Sequence, residues 1–355
     1  MILANKGGQL RTSEKVAMTT DYAVLSDLPC SKEQIKNCIY SKWYPAFKRF
    51  TPKSRIIKPL PNEFIRYLEQ DGIKLPPPEH EASVYTRVTI DDDGNARESW
   101  EKQEEQESDE MRPIEHFPEV HQQIRDIIKE LGPVTPKLNW SSPRDATWIL
   151  PNHTTKCSEV NEVYLLLNAS NYIMHDLELG HELNCKFELI LRQWFALNPA
   201  LEFRIFVKDG KVAGVSQRDL NYYHYLHPLA EQFKNLFDKF VKEVMVPRFP
   251  DKSFVIDVYL PRPFEKVYLI DINPYTRKTD PLLFSWNEII NFEAEDYELR
   301  LISENNIGRF ASKEHSENQV PKDVVDASLD PNAIKELAEK WTKLLEQQQA
   351  ESDSE

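Results

Sequence analysis

The fold is decided by two stretches, Phe254-Val-Ile-Asp257-Val-Tyr-Leu260 and Val267-Tyr-Leu-Ile-Asp271-Ile-Asn273-Pro274. The two stretches predict a β-hairpin, and because successive strand residues point to opposite faces, Asp271 and Asn273 share one face. A turn centred near Phe264 places Asp257 opposite Asp271 on that face. Facing carboxylates repel each other unless a cation lies between them, and Mg²⁺ prefers oxygen ligands of this kind. The hairpin therefore predicts a metal site that holds the phosphates of a nucleotide.

Each aspartate also has an ordinary structural interpretation. A single Asp near a strand end more often caps a turn or forms a salt bridge, and for Asp257 or Asp271 alone that interpretation is favoured. The run of residues 267–273 is mostly apolar, however, and is typical of a buried strand. Burying a carboxylate without a partner costs several kcal/mol, so the three oxygen ligands together favour the metal site.

Composition restricts the class of protein. With 355 residues, the chain is long enough for one large domain or two modest ones. The formal net charge of −14 argues against direct binding to nucleic acid or to an anionic membrane and favours a partner with a basic surface. The four cysteines have neither CxxC nor His-rich spacing, which argues against a disulfide scaffold and a zinc site. The chain has no apolar run near twenty residues and no secretory signal, so a cytoplasmic protein without a membrane span is predicted.

The sequence divides into four predicted parts. Residues 1–35 are mixed and polar, which predicts a disordered leader. Residues 36–165 form the predicted N-terminal lobe, with a flexible acidic insertion near 91–112, and residues 166–302 form the C-terminal lobe with the metal-binding hairpin. Residues 303–355 form a polar tail with an amphipathic helix at 331–348, which packs either on its own domain or on a partner. The acidic run 91–95 resembles a calcium loop, but Thr89 and Trp100 occupy positions that need acidic ligands, so a turn is predicted instead.

Three further segments are predicted to carry polar groups into a site. A strand from Val134 places Lys137 and Asn139 on one face, although a lone Lys in a strand is more often a solvated edge residue. The apolar run of residues 163–167 predicts a central strand that ends in a hinge, a suitable floor for an adenine ring. The strand of residues 187–195 places Glu188, Arg192 and Trp194 on one side.

A second hairpin is predicted from residues 202–207 and 212–218. Between them the pair Asp209-Gly210 favours a type I′ turn. That register places Glu202, Arg204 and Gln217 on one face. The alternative is a solvated sheet face with a Glu/Arg ion pair, and the hairpin alone does not decide between the two.

The Walker and Rossmann phosphate-binding loops are both excluded. The chain has only nine glycines and neither a GxxxxGK[ST] loop nor a GxGxxG turn. A nucleotide would therefore be held by side chains between two sheets. This is the ATP-grasp arrangement in outline, and the predicted fold class is α+β: an ATP-grasp fold with two sheet-containing lobes and nucleotide between them.

Several runs resemble the cell division cycle protein 123 family. They occur in order within residues 38–286, with a weaker similarity at 320–326: Ser41-Lys-Trp-Tyr-Pro45, Lys137-Leu-Asn-Trp-Ser-Ser-Pro-Arg-Asp-Ala, Glu202-Phe-Arg-Ile-Phe-Val, Ser216-Gln-Arg-Asp219 and Leu269-Ile-Asp-Ile-Asn-Pro274. The resemblance implies an ATP-grasp protein that binds ATP and magnesium. It also implies an assembly factor for eukaryotic translation initiation factor 2, which binds the C-terminal part of the gamma subunit and promotes its joining to the alpha and beta subunits.

The resemblance also implies roles for single residues. The implied magnesium ligands are Asp257, Asp271 and Asn273, and Lys137 is the implied phosphate contact, with Asn139 beside it in the nucleotide site. The other implied nucleotide-binding residues are Leu166, Asn168 and Ser170 at the adenine hinge, and Arg192, Arg204 and Arg218 on the phosphate side.

Three functions are compatible with these residues. The leading hypothesis is an ATP-dependent assembly chaperone that binds Mg·ATP with little or no turnover. The alternative is an ATP-grasp ligase or phosphoryl-transfer enzyme, which would consume ATP only when an acceptor is supplied. In a third interpretation the nucleotide site is vestigial, and the acidic surface alone recruits a basic partner.

Overall fold

The computed structural model describes residues 28, 30–70, 72, 73, 75, 87–90, 96–99, 116–293 and 296–304, and the fold is that of these residues. The described α-helices are α1 (Lys32–Asn37), α2 (Tyr40–Phe47), α3 (Asn62–Glu69), α4 (Pro118–Leu131), α5 (Val160–Asn168), α6 (Asn171–Glu182), α7 (Ala230–Phe240) and α8 (Trp286–Ile290). The described strands are β1 (Ser54–Ile57), β2 (Arg87–Ile90), β3 (Ala96–Ser99), β4 (Val134–Lys137), β5 (Leu189–Gln193), β6 (Glu202–Lys208), β7 (Lys211–Gln217), β8 (Phe254–Tyr259), β9 (Tyr268–Pro274) and β10 (Leu299–Arg300).

Two larger sheets organise the described part of the chain. The first is antiparallel with the strand order β1-β5-β4, and helices α3 to α6 pack with it around one apolar core. The second has the order β10-β7-β6-β8-β9, in which β10 is parallel to β7 and the other pairs are antiparallel. Helices α2 and α7 cover one face of this sheet, and α8 packs on the other face. These two sheets confirm the predicted α+β class with two sheet-containing lobes.

The predicted boundary between the lobes is wrong. It lies at residues 165/166, inside helix α5, whereas α5, α6 and β5 all belong to the lobe of the first sheet. The chain enters the second sheet at Glu202. Residues 194–201 therefore connect the two lobes.

The strand predicted for residues 163–167 is also wrong, because these residues lie in helix α5. Glu159 and Glu162 form a reciprocal capping box that starts this helix. Its apolar residues are buried almost all round the helix, and such a continuous run has no periodicity that separates a buried helix from a buried strand.

The predicted leader and insertion contain regular structure. Helix α1 lies largely within residues 1–35, and Ser31 and Gln34 form a capping box at its start. Strand β3 lies within the insertion near 91–112 and pairs with β2. Residues 1–27 and 29 of the predicted leader lie outside the described residues, as do the turn at 91–95, the similarity at 320–326 and the helix at 331–348. None of the described helices is long and apolar enough to cross a membrane.

The hairpin of β6 and β7 has the predicted turn but a different register. Asp209 and Gly210 have φ angles of 50° and 78°, as a type I′ turn requires. A register shift at Phe206/Val207 then moves the rest of the pairing by one residue, so that Ser216 lies opposite Arg204. Gln217 lies opposite Phe203 instead, and its predicted position on the face of Arg204 is wrong.

Candidate functional site

A row of charged side chains crosses three strands of the second sheet. Asp257 on β8 pairs with Asp271 on β9, as predicted, and with Arg204 on β6 on its other side. Arg204 binds Asp257 through two parallel hydrogen bonds, Nε to Oδ1 at 2.8 Å and Nη2 to Oδ2 at 2.9 Å. Both side chains are buried. The bidentate geometry fixes both groups and strengthens their interaction.

Arg218 is the second cation beside Asp257. Its Nε lies 3.5 Å from Asp257 Oδ2 and is buried without a hydrogen-bond partner. Burial opposes the ionisation of Asp257, but Arg204 and Arg218 outweigh this effect and hold the pKa of its carboxyl well below the usual range. Burial likewise disfavours the charged form of Arg218, and the nearby carboxylates, Asp257 first, outweigh it and raise the pKa of Arg218.

Lys137 reaches this row from the first sheet. Its Nζ donates to Asp271 Oδ2 at 2.7 Å and to the carbonyl oxygen of Trp140. The Lys137 side chain is 1% exposed and that of Asp271 is 20% exposed. The other carboxylate oxygen of Asp271 accepts the backbone N–H of Ile272. The facing carboxylates of Asp257 and Asp271 thus each hold a different cation, as the salt-bridge interpretation expects for each aspartate alone.

Two further arginines lie near the row. Arg192 on β5 donates from Nη1 to the carbonyl oxygen of Ile270, the residue before Asp271, at 2.9 Å. Arg144, in the 3₁₀ helix Arg144–Ile149, binds Glu202 with an Nη2–Oε2 distance of 3.0 Å. Sequence reasoning assigned no role to Arg144, and its only signal was a basic residue in the Ser/Pro/Asp turn after β4.

The residues present are chemically suited to magnesium and a polyphosphate. Asp257, Asp271 and Asn273 offer carboxylate and amide oxygens on one face of the hairpin, which are hard ligands for Mg²⁺. The Nδ2 of Asn273 and the Nε of Arg218 are buried without hydrogen-bond partners, so both retain unused donor capacity. No group of three or more His, Cys, Asp or Glu side chains suited to a metal occurs among the described residues. At this hairpin the amide oxygen of Asn273 is therefore the third side-chain ligand available beside the two carboxylates.

Four predicted nucleotide-binding residues have structural roles away from the row. The buried side chain of Asn139 donates to Lys186 O and accepts from Glu188 N. Leu166 is in the core of the first lobe, and Asn168 donates to Tyr164 O within helix α5. Ser170 caps helix α6 and donates to Asp145. The predicted adenine hinge is therefore helical, and residues 194–201 instead connect β5 of the first sheet to β6 of the second.

Sequence reasoning missed a buried carboxylate behind Lys137. Asp176 on helix α6 is 1% exposed and accepts hydrogen bonds from residues 140 and 141, in the loop that follows β4. Burial raises the pKa of the Asp176 carboxyl despite these bonds. The available signal was its position between Ile173 and Leu177, on the buried stripe of the helix.

Comparison with known proteins identifies the family. The sequence model of the D123 family matches residues 43–328. The chain belongs to the D123 family. This D123-family chain is 63% identical over 354 residues to "Cell division cycle protein 123" of Candida glabrata, with 95% of the chain and 99% of the relative covered. It is 53% identical over 366 residues to the "Translation initiation factor eIF2 assembly protein" of Vanderwaltozyma polyspora, with 95% and 98% covered.

A solved structure of the family has the same fold. C-terminally truncated Cdc123 from Schizosaccharomyces pombe aligns with a TM-score of 0.60 at 35% identity and covers 78% of this D123-family chain and 100% of the solved chain. The resemblance predicted from the short sequence runs is thus confirmed over most of the chain.

Proposed function

We propose that this D123-family chain is a cytoplasmic assembly factor for eukaryotic translation initiation factor 2, which binds the C-terminal part of the gamma subunit and depends on Mg·ATP bound between its lobes. Relatives 53% and 52% identical carry the name of an eIF2 assembly protein, which supports the assembly role. The row of Lys137, Asp271, Asp257 and Arg204 carries the nucleotide part, because it combines oxygen ligands with buried cations where the lobes meet.

The proposed roles follow from the side chains themselves. Asp257, Asp271 and Asn273 would hold the metal, and Lys137, Arg192, Arg204 and Arg218 would face the phosphates. When bound, Mg·ATP supplies a cation for the carboxylates and an anion for the basic groups. Lys137 and Arg204 would then release their carboxylates and donate to phosphate oxygens instead.

Contacts between the lobes link this site to the proposed assembly role. Lys137 belongs to the first sheet and Asp271 to the second, and the bond from Arg192 to Ile270 O crosses in the same direction. If Lys137 exchanged Asp271 for a phosphate, one of these two hydrogen bonds between the sheets would be lost. Such a chaperone needs binding and no transferred group, so little or no turnover of ATP is expected.

The test is calorimetric titration with ATP and magnesium. Asp271→Asn retains an acceptor for Lys137 but removes the carboxylate charge. The control is Asp296→Asn, because Asp296 also lies 2.7 Å from a lysine, Lys234, but its side chain is 80% exposed. We expect saturable binding by the wild type, at least tenfold weaker binding by Asp271→Asn, and an unchanged Kd for Asp296→Asn. No binding by the wild type would leave a purely protein-binding role.

A second experiment tests the partner. The isolated gamma subunit is titrated with the wild type and with Asp271→Asn, with and without Mg·ATP. We expect tighter binding of the wild type when Mg·ATP is present and no such gain for the variant. Analysis of the nucleotide products in the same samples tests turnover, and ATP consumption that requires an added acceptor would favour a ligase.

A further inference from the structure

We propose that Asp176 is a positioning residue, which fixes the loop of residues 138–142 and thereby the direction of the Lys137 ammonium group in the proposed nucleotide site. This inference rests on the proposed nucleotide site, since it assigns a function to the residue that fixes its lysine. Asp176 lies on helix α6, in the first lobe, and contacts neither Asp257 nor Asp271 in the described hydrogen bonds.

The loop after β4 is bound by Asp176 at three points. Asp176 Oδ2 accepts the backbone N–H of Trp140 at 3.0 Å and that of Ser141 at 2.7 Å. Its Oδ1 accepts the hydroxyl of Ser141 at 2.7 Å. All the hydrogen bonds described for this carboxylate therefore go to two consecutive residues of one loop.

The same loop supplies a ligand for Lys137. The carbonyl oxygen of Trp140 accepts a hydrogen bond from Lys137 Nζ, whose other described bond goes to Asp271. The peptide N–H of Trp140 is bound to Asp176, so the residue that orients the lysine is itself held by the aspartate. Loss of Asp176 would free this carbonyl and with it the direction of the ammonium group.

The burial of Asp176 indicates that its hydrogen bonds to the loop of residues 138–142 have a function. Among the described residues, no cation forms an ion pair with Asp176, although the charge of Lys137 favours its ionised form. A buried carboxylate without a paired cation is costly, and three hydrogen bonds to a loop are its compensation. A purely apolar contact between α6 and the loop would avoid this cost but could not fix backbone N–H groups.

The test compares two buried aspartates: Asp176, which lies on helix α6, and Asp145, which binds the start of that helix. Asp176→Ala removes the bonds to the loop. Asp145→Ala is the matched control, because the Asp145 carboxylate also accepts one hydroxyl and two backbone N–H groups, but from residues 170–172 at the start of the helix. We expect both variants to lower the Tm, and only Asp176→Ala to weaken Mg·ATP binding, at least tenfold. Equal weakening by the two variants would show a general effect of the helix and overturn the proposal.

A conservative variant separates geometry from charge. In Asp176→Asn the amide oxygen can accept both backbone N–H groups and the amide nitrogen can donate to Ser141 Oγ. We therefore expect the Kd of this variant to stay within threefold of the wild type. A loss as large as that of Asp176→Ala would overturn positioning through hydrogen bonds. If Asp176→Ala does not fold, Ser141→Ala takes its place, with an expected loss of two- to fivefold, and an unchanged Kd would again contradict the proposal.

A measurement on the nucleotide-free protein keeps this inference separate from the proposed function. The ¹⁵N-detected ammonium signal of Lys137, assigned by its loss in Lys137→Met, reports whether the buried group keeps its hydrogen bonds. We expect the signal to be sharp in the wild type and in Asp145→Ala, and broadened or lost in Asp176→Ala. If the wild type binds no ATP, the proposed function fails, and this signal still decides whether Asp176 positions Lys137.

Discussion

Among single residues, Asp257 is electrostatically constrained, because it is buried between two arginines. Asp257→Ala would leave the guanidinium of Arg204 buried with only its bond to Asp280 O, so we expect a loss of about 3–5 kcal/mol in the free energy of unfolding. Unfolding in urea measures this loss of free energy. Glu33→Ala is the control: the Glu33 side chain is 68% exposed beside Lys42, and removing such a pair costs about 0–1 kcal/mol.

The carboxylate of Asp257 also makes the stability of the fold depend on pH. Arg204 and Arg218 hold the folded-state pKa of Asp257 below its unfolded value of about 3.9, so its contribution is complete above that pH and is lost as the pH falls towards the folded value. We expect the stability difference between wild type and Asp257→Ala to be constant from about pH 8 to 5 and to shrink below about pH 4. The carboxylates of Asp176 and Glu188, whose pKa values are raised by burial, are present in both proteins and cancel in this comparison. A difference that grows in acid would contradict the assignment.

The oxygen ligands of the site could be predicted from strand alternation and the turn position. The resemblance placed Lys137, Arg204 and Arg218 in the site, but nothing in the sequence predicted which carboxylate each one binds. Strand alternation and the turn position placed Asp257, Asp271 and Asn273 on one face. The cation that each aspartate binds comes from a distant segment: Arg204 and Asp257 are 53 positions apart in the sequence, and Lys137 and Asp271 are 134 positions apart. No local periodicity encodes such contacts.

At the level of elements, helix α6 and the segment before β5 pack through one glycine. A methyl group at Gly180 would overlap the ring of Phe187, which is 8% exposed, so Gly180→Ala must displace that ring. We expect a loss of about 1–3 kcal/mol in unfolding free energy, although alanine favours a helix more than glycine does. Phe187→Leu alone provides the reference, and the double variant should lose less than the sum of the two. Simple additivity would show that the two positions do not interact.

Helix α4 has end signals that can be read from the sequence, whereas helix α5 has an apolar run without helical periodicity. Helix α4 has a proline at its first turn and ends before Gly132, whose φ is 74°, and both signals are visible in the sequence. Helix α5 was predicted as a strand because its apolar run has no helical stripe, although the Glu159/Glu162 capping box marked its start. The register shift within β6 and β7 has no sequence signal, which is why Gln217 was assigned to the wrong face.

In the whole molecule, the lobes meet through opposite charges that would also bind the ligand. Magnesium alone would have to displace Lys137 from Asp271 and leave that buried ammonium without its carboxylate. ATP alone would attract the basic groups but bring its phosphates close to the carboxylates of Asp257 and Asp271. In the proposed site each ligand would therefore remove an unfavourable contact that the other creates, and such coupling is reciprocal.

We accordingly expect Mg²⁺ and ATP to bind together. Magnesium alone should shift the Tm by less than about 1 °C, and the Kd for ATP should fall at least tenfold, about 1.4 kcal/mol, between chelated and saturating magnesium. Calorimetric titration of ATP at several magnesium concentrations measures this coupling. In Lys137→Met the cation on Asp271 is absent, so magnesium alone should bind better and the coupling should decrease. If magnesium alone stabilised the wild type as much as Mg·ATP does, the exchange of partners at Lys137 would be contradicted, and the ion pair between the lobes would have only a structural role.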